Sequence, residues 1–407
     1  MFVFKRLNIS HTSRSFNHIH GNCMRNLTFS NQKSNLSQLT NYSDHYFNRK
    51  RELDTLTNKF SNDISNIHVI LGPTDSGKTA LVRQVVTEGN FNPIFFNGRS
   101  GCFFSPELVY SSLLDKVNTF FKNIPKRDFQ FLLPRTHSYT SNYLLQNISN
   151  ALPNLNYWKN YNLPPPILVI DEANAMETFL FSASKEGIKF LEWIKLNSIQ
   201  KNKFHVVLTS SEPFFLKWAN DFFGATNLTP YVVGDLSKEE AEEFFEEYVL
   251  PSHEKNIRKE LEGKFDQIYK YTGTRMSFIR NWVKDYSIDK NYDSSIYLQV
   301  KHHMNYGLYP CKTRFRSAPR WKQSHFIETM KALVEAENQG FILEKDLIKK
   351  IGSEAVHSLI EYRHLYPRQN FNETYDIINP PKMPEMMLTP VYPLFHAMKS
   401  LLKEKFS

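Results

Sequence analysis

The sequence predicts an α/β protein, a three-layer sandwich in which helices cover both faces of a parallel sheet. Three short apolar runs, at residues 67–71, 167–170 and 204–208, have the length and continuous hydrophobicity of buried parallel strands. The first run is followed by a glycine-rich loop and the second by two carboxylates, while hydroxyl residues follow the third. Segments with the apolar spacing of helices separate the runs, as a parallel sheet requires.

The loop after the first run reads Gly-Pro-Thr-Asp-Ser-Gly-Lys-Thr and fits the pattern G-x-x-x-x-G-K-[ST]. Glycines let backbone N–H groups close around a phosphate, the lysine neutralises the β and γ oxygens, and the hydroxyl binds Mg²⁺. A helix pattern begins at Gly77, so the loop has the strand-loop-helix setting that this chemistry needs. A nucleoside triphosphate is therefore the predicted ligand. Its predicted contacts are Gly72, Pro73, Thr74, Asp75, Ser76, Gly77, Lys78, Thr79 and Ala80.

The second run ends in two acidic residues, Asp171 and Glu172, in the manner of a Walker B element. In such a site the first acid holds the Mg²⁺ shell and the second polarises the attacking water. We therefore assign the metal to Thr79 and Asp171, and assign a catalytic role to Glu172. The alternative is that both acids are structural.

The third run ends in Thr209, Ser210 and Ser211, and a small hydroxyl at this place suits a sensor of the γ-phosphate. We assign this catalytic role to Ser210, and Thr209 and Ser211 are the next candidates. Ser211 has a second interpretation as a helix N-cap, because Glu212 and Pro213 are typical of a helix start.

Composition sets the broad class of the chain. It has 407 residues, 41% hydrophobic and 22% charged, which is enough for two or three domains with proper cores. No stretch of about 18 consecutive apolar residues occurs, so we expect no membrane span. The three cysteines are odd in number and match no zinc-binding spacing, which favours a reducing compartment over a disulfide framework.

The first 43 residues have a different composition from the rest. The first acidic residue is Asp44, whereas five basic residues and many serines and asparagines precede it. This is typical of a mitochondrial transit peptide, so we predict a leader over 1–43 and a location in the mitochondrial matrix. A disordered basic tail is the alternative. The leader carries five of the positive charges behind the net +9.

Residues 46–53, Tyr-Phe-Asn-Arg-Lys-Arg-Glu-Leu, resemble the F-x-G-R-x-x-E-L motif of the archaeal-type ATPase family, within the AAA+ and STAND-like P-loop ATPases. Asn48 replaces the usual glycine, and asparagine tolerates positive φ. The resemblance continues through the phosphate loop, FFNGR, ILVIDEAN, VVLTSSEPFFLKW and YVVGDLSKEEAEEFFEEY, to about residue 285. It implies the P-loop NTPase fold, with an ATPase core at 44–236 and a helical lid at 237–290. It also implies that ATP and Mg²⁺ are bound and that ATP is hydrolysed.

Two departures from the family pattern affect the mechanism. The loop at 221–227 lacks the arginine that this family often carries there. Arg275, in the lid, is our candidate for a catalytic sensor of the γ-phosphate, since a guanidinium can read it; the alternative is a surface residue. Arg280 is a weaker candidate. Asn97, at the end of the second strand in chain order, is a candidate to restrain Glu172 until a partner binds.

The C-terminal third divides into a basic linker at 291–322 and a winged-helix-like domain at 323–407. The linker interleaves basic residues, among them Arg314 and Arg316, with aromatic ones, so it is either a nucleic-acid contact or a solvated connector. The predicted third helix of the winged helix, 353–366, opens with a serine and a glutamate. A DNA-reading helix carries basic and amide residues there, so we favour protein docking or packing on the lid.

The preferred functional hypothesis is an ATPase that drives or gates a conformational change in a mitochondrial partner. We expect a protein partner or self-association, and slow turnover without a trans-acting arginine. A nucleic-acid-associated ATPase and a nucleotide-gated switch with little turnover remain open as alternatives.

Overall fold

The computed structural model describes residues 49–122, 124, 141–313, 316–369, 376–377, 379–382 and 385–406. The predicted leader lies outside these residues, as do Arg314 and part of the predicted winged-helix-like domain, so those predictions stay predictions. Within the part that is described, no helix is long and apolar enough to cross a bilayer.

The centre of the fold is a five-stranded sheet in the order β2-β3-β4-β1-β5, and every strand pair in it is parallel. The strands are β1 (Ile67–Leu71), β2 (Asn92–Asn97), β3 (Pro166–Asp171), β4 (His205–Ser210) and β5 (Leu228–Val232). The three apolar runs are the three inner strands, and every residue of them is buried. Burial on both faces explains their continuous hydrophobicity and confirms the strand prediction.

Helices cover both faces of this sheet and complete the three layers. One face packs against α1 (Lys50–Phe60) and α2 (Lys78–Glu88), whose apolar residues meet Ile70, Val169 and Val207. The other face packs against a larger set that meets Val69 and Leu168. That set contains α3 (Pro106–Lys122), α4 (Ser141–Ala151), α5 (Leu155–Asn160), α6 (Ala175–Ser182), α7 (Ser184–Lys195) and α8 (Phe215–Phe223).

The predicted lid is helical and has a core of its own. Its helices are α9 (Lys238–Glu243), α10 (Lys255–Leu261), α11 (Phe265–Thr272) and α12 (Met276–Asp289). Leu261, Phe265, Ile268 and Trp282 are buried together in this core. Ser237 caps α9, because its hydroxyl accepts a hydrogen bond from Glu240 N while the Glu240 carboxylate accepts one from Ser237 N.

The predicted linker at 291–322 is not a solvated connector. Its first half is helix α13 (Ser295–Leu308), which buries Tyr297, Val300, Met304 and Leu308 against the elements that follow. Trp321 is also buried, and its Nε1 donates to Gly307 O at 2.8 Å. The apolar spacing within α13 therefore outweighs the basic residues that suggested a linker.

We call the elements from α14 to α17 the C-terminal module. They are α14 (Gln323–Glu335), β6 (Ile342–Leu343), α15 (Glu344–Ile351), α16 (Ser353–Glu361), β7 (Leu365–Gln369), β8 (Met386–Pro390) and α17 (Phe395–Phe406). The strands form an antiparallel sheet in the order β6-β8-β7. The third predicted helix was too long: it ends at Glu361, because Arg363 has the left-handed φ of 61°. Tyr366, predicted to be helical, lies in strand β7.

Candidate functional site

The phosphate loop connects β1 to α2 and follows a backbone path that needs glycine. Gly77 has a φ of 90° and directly precedes α2, while Gly72 has a φ of 151°. A Cβ on Gly72 would lie 2.2 Å from Val233 O, far inside contact distance. The loop therefore presents its amides and the N-terminus of α2 to one space, as phosphate binding requires.

Lys78 is buried within this loop. Its Nζ donates to Gly72 O at 3.0 Å and to Pro73 O at 2.7 Å. The pKa of Lys78 is lowered to about 8, chiefly by burial and in part by the nearby Arg275, against the opposing effect of Glu172. The ammonium group thus sits in the loop with only its backbone carbonyls as hydrogen-bond acceptors among the described residues.

The predicted metal residues lie in contact with each other. The Thr79 hydroxyl donates to Asp171 Oδ1 at 2.7 Å. A hydroxyl and a carboxylate are the oxygen donors that Mg²⁺ prefers, and Mg²⁺ in such sites takes its other ligands from phosphates and water. The described residues contain no group of three or more His, Cys, Asp or Glu that would hold a metal without them. The pair fits a nucleotide-bound Mg²⁺.

Thr209, the neighbour of Ser210, contacts both acids. Its hydroxyl donates to the same Asp171 Oδ1 at 2.6 Å and accepts from Glu172 N at 3.1 Å. Ser210 instead donates to Asn174 Oδ1 at 3.2 Å and accepts from the N–H of Glu212 at 3.1 Å. Neighbouring side chains on a strand point to opposite sides, which separates these two residues.

The alternative role of Ser211 is wrong. Helix α8 begins four residues later, at Phe215, and its N-cap residue, Phe214, makes no side-chain capping bond. Ser211 itself is buried. It lies in the segment between β4 and α8 and caps neither element.

Glu172 is held by an arginine that sequence analysis did not assign. It follows β3 with a φ of 53°, and its carboxylate forms an ion pair with Arg99. The pairing raises the pKa of Arg99. Asn97, our candidate for this role, instead accepts a hydrogen bond from Arg99 N at 3.0 Å. The signal in the sequence was the arginine that ends FFNGR.

Arg275 is not a surface residue. It precedes α12, is 1% exposed, and forms a bidentate ion pair with Asp235 through Nε at 2.8 Å and Nη2 at 2.9 Å. Its charge lowers the pKa of Lys78, so it lies near the phosphate loop. Its buried Nη1 has no hydrogen-bond partner among the described residues. Arg280, the weaker candidate, lies 5.2 Å from the ring of Phe244 in the lid.

Arg49 connects the phosphate loop to the segment that follows β5. The sequence motifs did not assign it to the site. Its Nη2 donates to Ser76 O at 3.2 Å and to Gly234 O at 3.0 Å, while Nη1 pairs with Glu52 at 3.1 Å. Arg49 and Glu52 occupy the arginine and glutamate positions of the F-x-G-R-x-x-E-L motif. That motif therefore has a physical role, because it connects the loop to the segment that follows β5.

The C-terminal module also contacts the loop. Gly72 N donates to the phenol oxygen of Tyr366 at 2.9 Å. Sequence analysis missed this residue because it placed Tyr366 in a helix. The phosphate loop is thus held from three sides, by its own sheet, by Arg49 and by β7.

Comparison with known proteins agrees with this geometry. A family model described as an ATPase domain predominantly from Archaea matches residues 46–280. An uncharacterized ATP-binding protein of Methanocaldococcus jannaschii is 24% identical in an alignment of 280 residues, and the match covers 58% of this chain and 71% of that protein. The Walker-type ATPase of Pyrococcus abyssi has a similar fold, with a TM-score of 0.54 and 14% identity, over 87% of this chain and 96% of that one. The matched segment contains Arg49, the phosphate loop, both acids and strand β4. The chain belongs to this family of archaeal-type ATPase domains.

Proposed function

We propose that this chain hydrolyses ATP with Mg²⁺ and uses the cycle to drive or gate a conformational change in a protein partner. One observation carries the proposal: the Thr79 hydroxyl and Asp171 carboxylate are 2.7 Å apart at the end of the phosphate loop, and Glu172 follows directly. Phosphoryl transfer to water requires residues that can bind a metal ion beside a carboxylate that can orient water.

Each residue has a defined task in this proposal. The loop amides and Lys78 bind the phosphates, for which the lysine leaves the carbonyls of Gly72 and Pro73. Thr79 and Asp171 would hold Mg²⁺, which would screen the phosphate charge when bound. Glu172 accepts a hydrogen bond from the attacking water and holds it in line.

The internal contacts of Glu172 and Lys78 support a slow basal rate of ATP hydrolysis. Glu172 is engaged by Arg99, and Lys78 by its own loop. A nucleotide has to replace these internal partners before the site is complete. An arginine close to the γ-phosphate also speeds this chemistry strongly, and the loop at 221–227 has none. We infer that a partner completes the site, and Arg275, whose Nη1 has no hydrogen-bond partner among the described residues, is a candidate within the chain.

A steady-state assay of ATP hydrolysis tests the proposal. We expect Lys78→Ala to weaken the binding of a fluorescent ATP analogue. Glu172→Gln should still bind it but turn over at least about 100-fold more slowly, as expected when a group that acts on the attacking water is lost. Glu192→Gln, an exposed change on α7, is the matched control. Turnover that survives Glu172→Gln would contradict the assignment, and a chain that binds no nucleotide would overturn the proposal.

A nucleic-acid-associated role has less support than a protein partner. Of the aromatic residues predicted to stack on bases, Trp321 is buried, whereas Tyr309 is exposed. Base stacking needs accessible rings, so the available surface is smaller than the sequence suggested. Salt-sensitive stimulation of ATP turnover by single-stranded or duplex nucleic acid would reverse this order.

A further inference from the structure

Strand β7 of the C-terminal module reaches the base of the phosphate loop. The Tyr366 side chain is buried, and its phenol oxygen is the acceptor for Gly72 N at 2.9 Å. Burial raises the pKa of Tyr366, so the group is a neutral phenol at any physiological pH. A buried backbone N–H requires a partner, and in the described structure Tyr366 supplies it.

A second contact joins the module to the segment after β4. The guanidinium of Arg363, which lies just before β7, pairs with the carboxylate of Glu212. The N–H of Glu212 in turn donates to the hydroxyl of Ser210. The module therefore also touches the segment that follows β4, the strand next to β3 and its carboxylates.

A third contact is made at the end of β5. Asp235 N donates to Asp376 Oδ2 at 3.1 Å, and Asp376 is held by a buried bidentate pair with Arg368 at 2.6 and 2.8 Å. The carboxylate of the same Asp235 holds Arg275. There is no room for a side chain at Gly234, since a Cβ there would lie 2.1 Å from Asp376 Oδ2.

We propose that the C-terminal module is a working part of the nucleotide site, in which Tyr366 is a positioning residue for the phosphate loop. Docking of the module and binding of nucleotide then strengthen each other. The inference rests on the proposed function only in that the loop binds nucleotide; it does not depend on hydrolysis.

The direction of the coupling follows from where Tyr366 binds. Gly72 is the first residue of the loop, directly after β1, whereas the phosphates are met by the amides near Gly77 and by Lys78. Tyr366 therefore does not compete with phosphate. Without its hydroxyl the Gly72 N–H has to turn toward another acceptor, and nucleotide binding has to restore the loop. Because coupling is reciprocal, bound nucleotide also favours the docked module.

The test is the affinity of the full chain for fluorescent ADP and ATP analogues with Mg²⁺. Tyr366→Phe should raise both Kd values about three- to tenfold, the factor expected when one hydrogen bond is lost. Turnover at saturating ATP should change less than about twofold, because Tyr366 acts before chemistry. The matched control is Tyr362→Phe, whose hydroxyl donates to Ser317 O within the C-terminal part of the chain. Unchanged or tighter binding by Tyr366→Phe would overturn the inference.

A second variant keeps the test independent of the loop itself. Arg363→Gln removes the ion pair to Glu212 without touching Gly72, and we expect the same direction of change in Kd. Arg320→Gln, which loses a pair to Glu361, is its control and should bind like the wild type. If Arg363→Gln also binds like the wild type, the docking contacts do not contribute to nucleotide affinity.

Hydrogen exchange measures the reciprocal effect. We expect ADP with Mg²⁺ to slow amide exchange in 365–369 of the wild type, and we expect a smaller effect in Tyr366→Phe. Nucleotide that binds without slowing exchange there would contradict the coupling. Failure of the wild type to bind any nucleotide would overturn the proposed function as well, which separates that outcome from a failure of this inference alone.

Discussion

Thr209 donates its hydroxyl to Asp171 Oδ1 at 2.6 Å, and Thr79 donates to the same oxygen at 2.7 Å. Three segments that are far apart in the chain therefore meet at one carboxylate oxygen. They are strand β4, the phosphate loop and strand β3. If Thr79 turned to a metal ion, Thr209 would continue to orient Asp171. The same Thr209 hydroxyl accepts a hydrogen bond from Glu172 N, so it also positions the backbone of Glu172.

Thr209→Val is expected to impair the ATPase more than Ser210→Ala. The valine keeps the shape but removes a hydrogen bond to a charged group, a loss that corresponds to about ten- to a hundredfold. Turnover measured against Mg²⁺ concentration at saturating ATP should show a lower maximum and a higher half-saturating Mg²⁺ for Thr209→Val. A larger loss of ATPase activity in Ser210→Ala than in Thr209→Val would favour Ser210 as the sensor of the γ-phosphate.

Arg99→Ala is expected to raise basal ATP turnover. The change frees the Glu172 carboxylate from its ion pair, and an exposed pair of this kind contributes up to about 1 kcal/mol, or about fivefold in rate. Steady-state hydrolysis is the measurement, and Arg99→Lys should lie between the alanine variant and the wild type. A fall in turnover with unchanged ATP affinity would indicate instead that Arg99 acts on the phosphate.

Nucleotide binding is expected to take up a proton near pH 8. The pKa of Lys78 is about 8 without nucleotide, and bound phosphates favour its charged form. Affinity should therefore fall as pH rises through 8, with about half a proton taken up at pH 8 and little at pH 6.5. Calorimetry in buffers of different ionisation enthalpy measures this uptake. Lys78→Arg, which stays charged, should show none; an equal uptake by this variant would assign the proton to another group.

The buried pair His68 and His205 is expected to make the fold acid-sensitive. His68 Nε2 and His205 Nδ1 are 3.2 Å apart, and burial followed by repulsion from His205 lowers the pKa of His68 to about 3. Between pH 6.5 and 3 the unfolded chain binds more protons than the folded one, so stability falls as pH is lowered through this window.

Between pH 6.5 and pH 5 this histidine should cost about 2 kcal/mol of the free energy of unfolding. Urea unfolding at the two pH values should show a smaller pH effect for His68→Gln than for the wild type. His357→Gln, at an exposed position, is the control and should behave like the wild type. Equal pH dependence in all three proteins would mean that His68 does not titrate in this way.

The sequence predicted those parts of the fold that depend on burial. The runs in strands β1, β3 and β4 are apolar except for His68 and His205, because both faces of these strands are covered. The phosphate loop has the residue spacing that phosphate binding requires. The choice between Asn97 and Arg99 depends on the turn after β2, and the spacing of residues does not reveal which side chain faces Glu172.

Other features depended on contacts between distant residues. The partner of Arg275 is Asp235, 40 positions earlier, and this pair makes a buried residue of what sequence alone allowed to be a surface one. Helix α16 ends where Arg363 adopts a positive φ, which an arginine does not signal in advance. For that reason the sequence placed Tyr366 in a helix and could not relate it to Gly72.

The bond between Gly72 and Tyr366 joins a residue inside the matched family segment to one 86 positions beyond its end at residue 280. A fragment trimmed to the family boundary would keep every phosphate-binding residue and still lack the acceptor for the first amide of the loop. It would also lose the carboxylate that fills the space beside Gly234. In this chain the contacts that hold the phosphate loop extend beyond the segment that the family model matches, so an isolated ATPase core would lack contacts that the core has in the full chain.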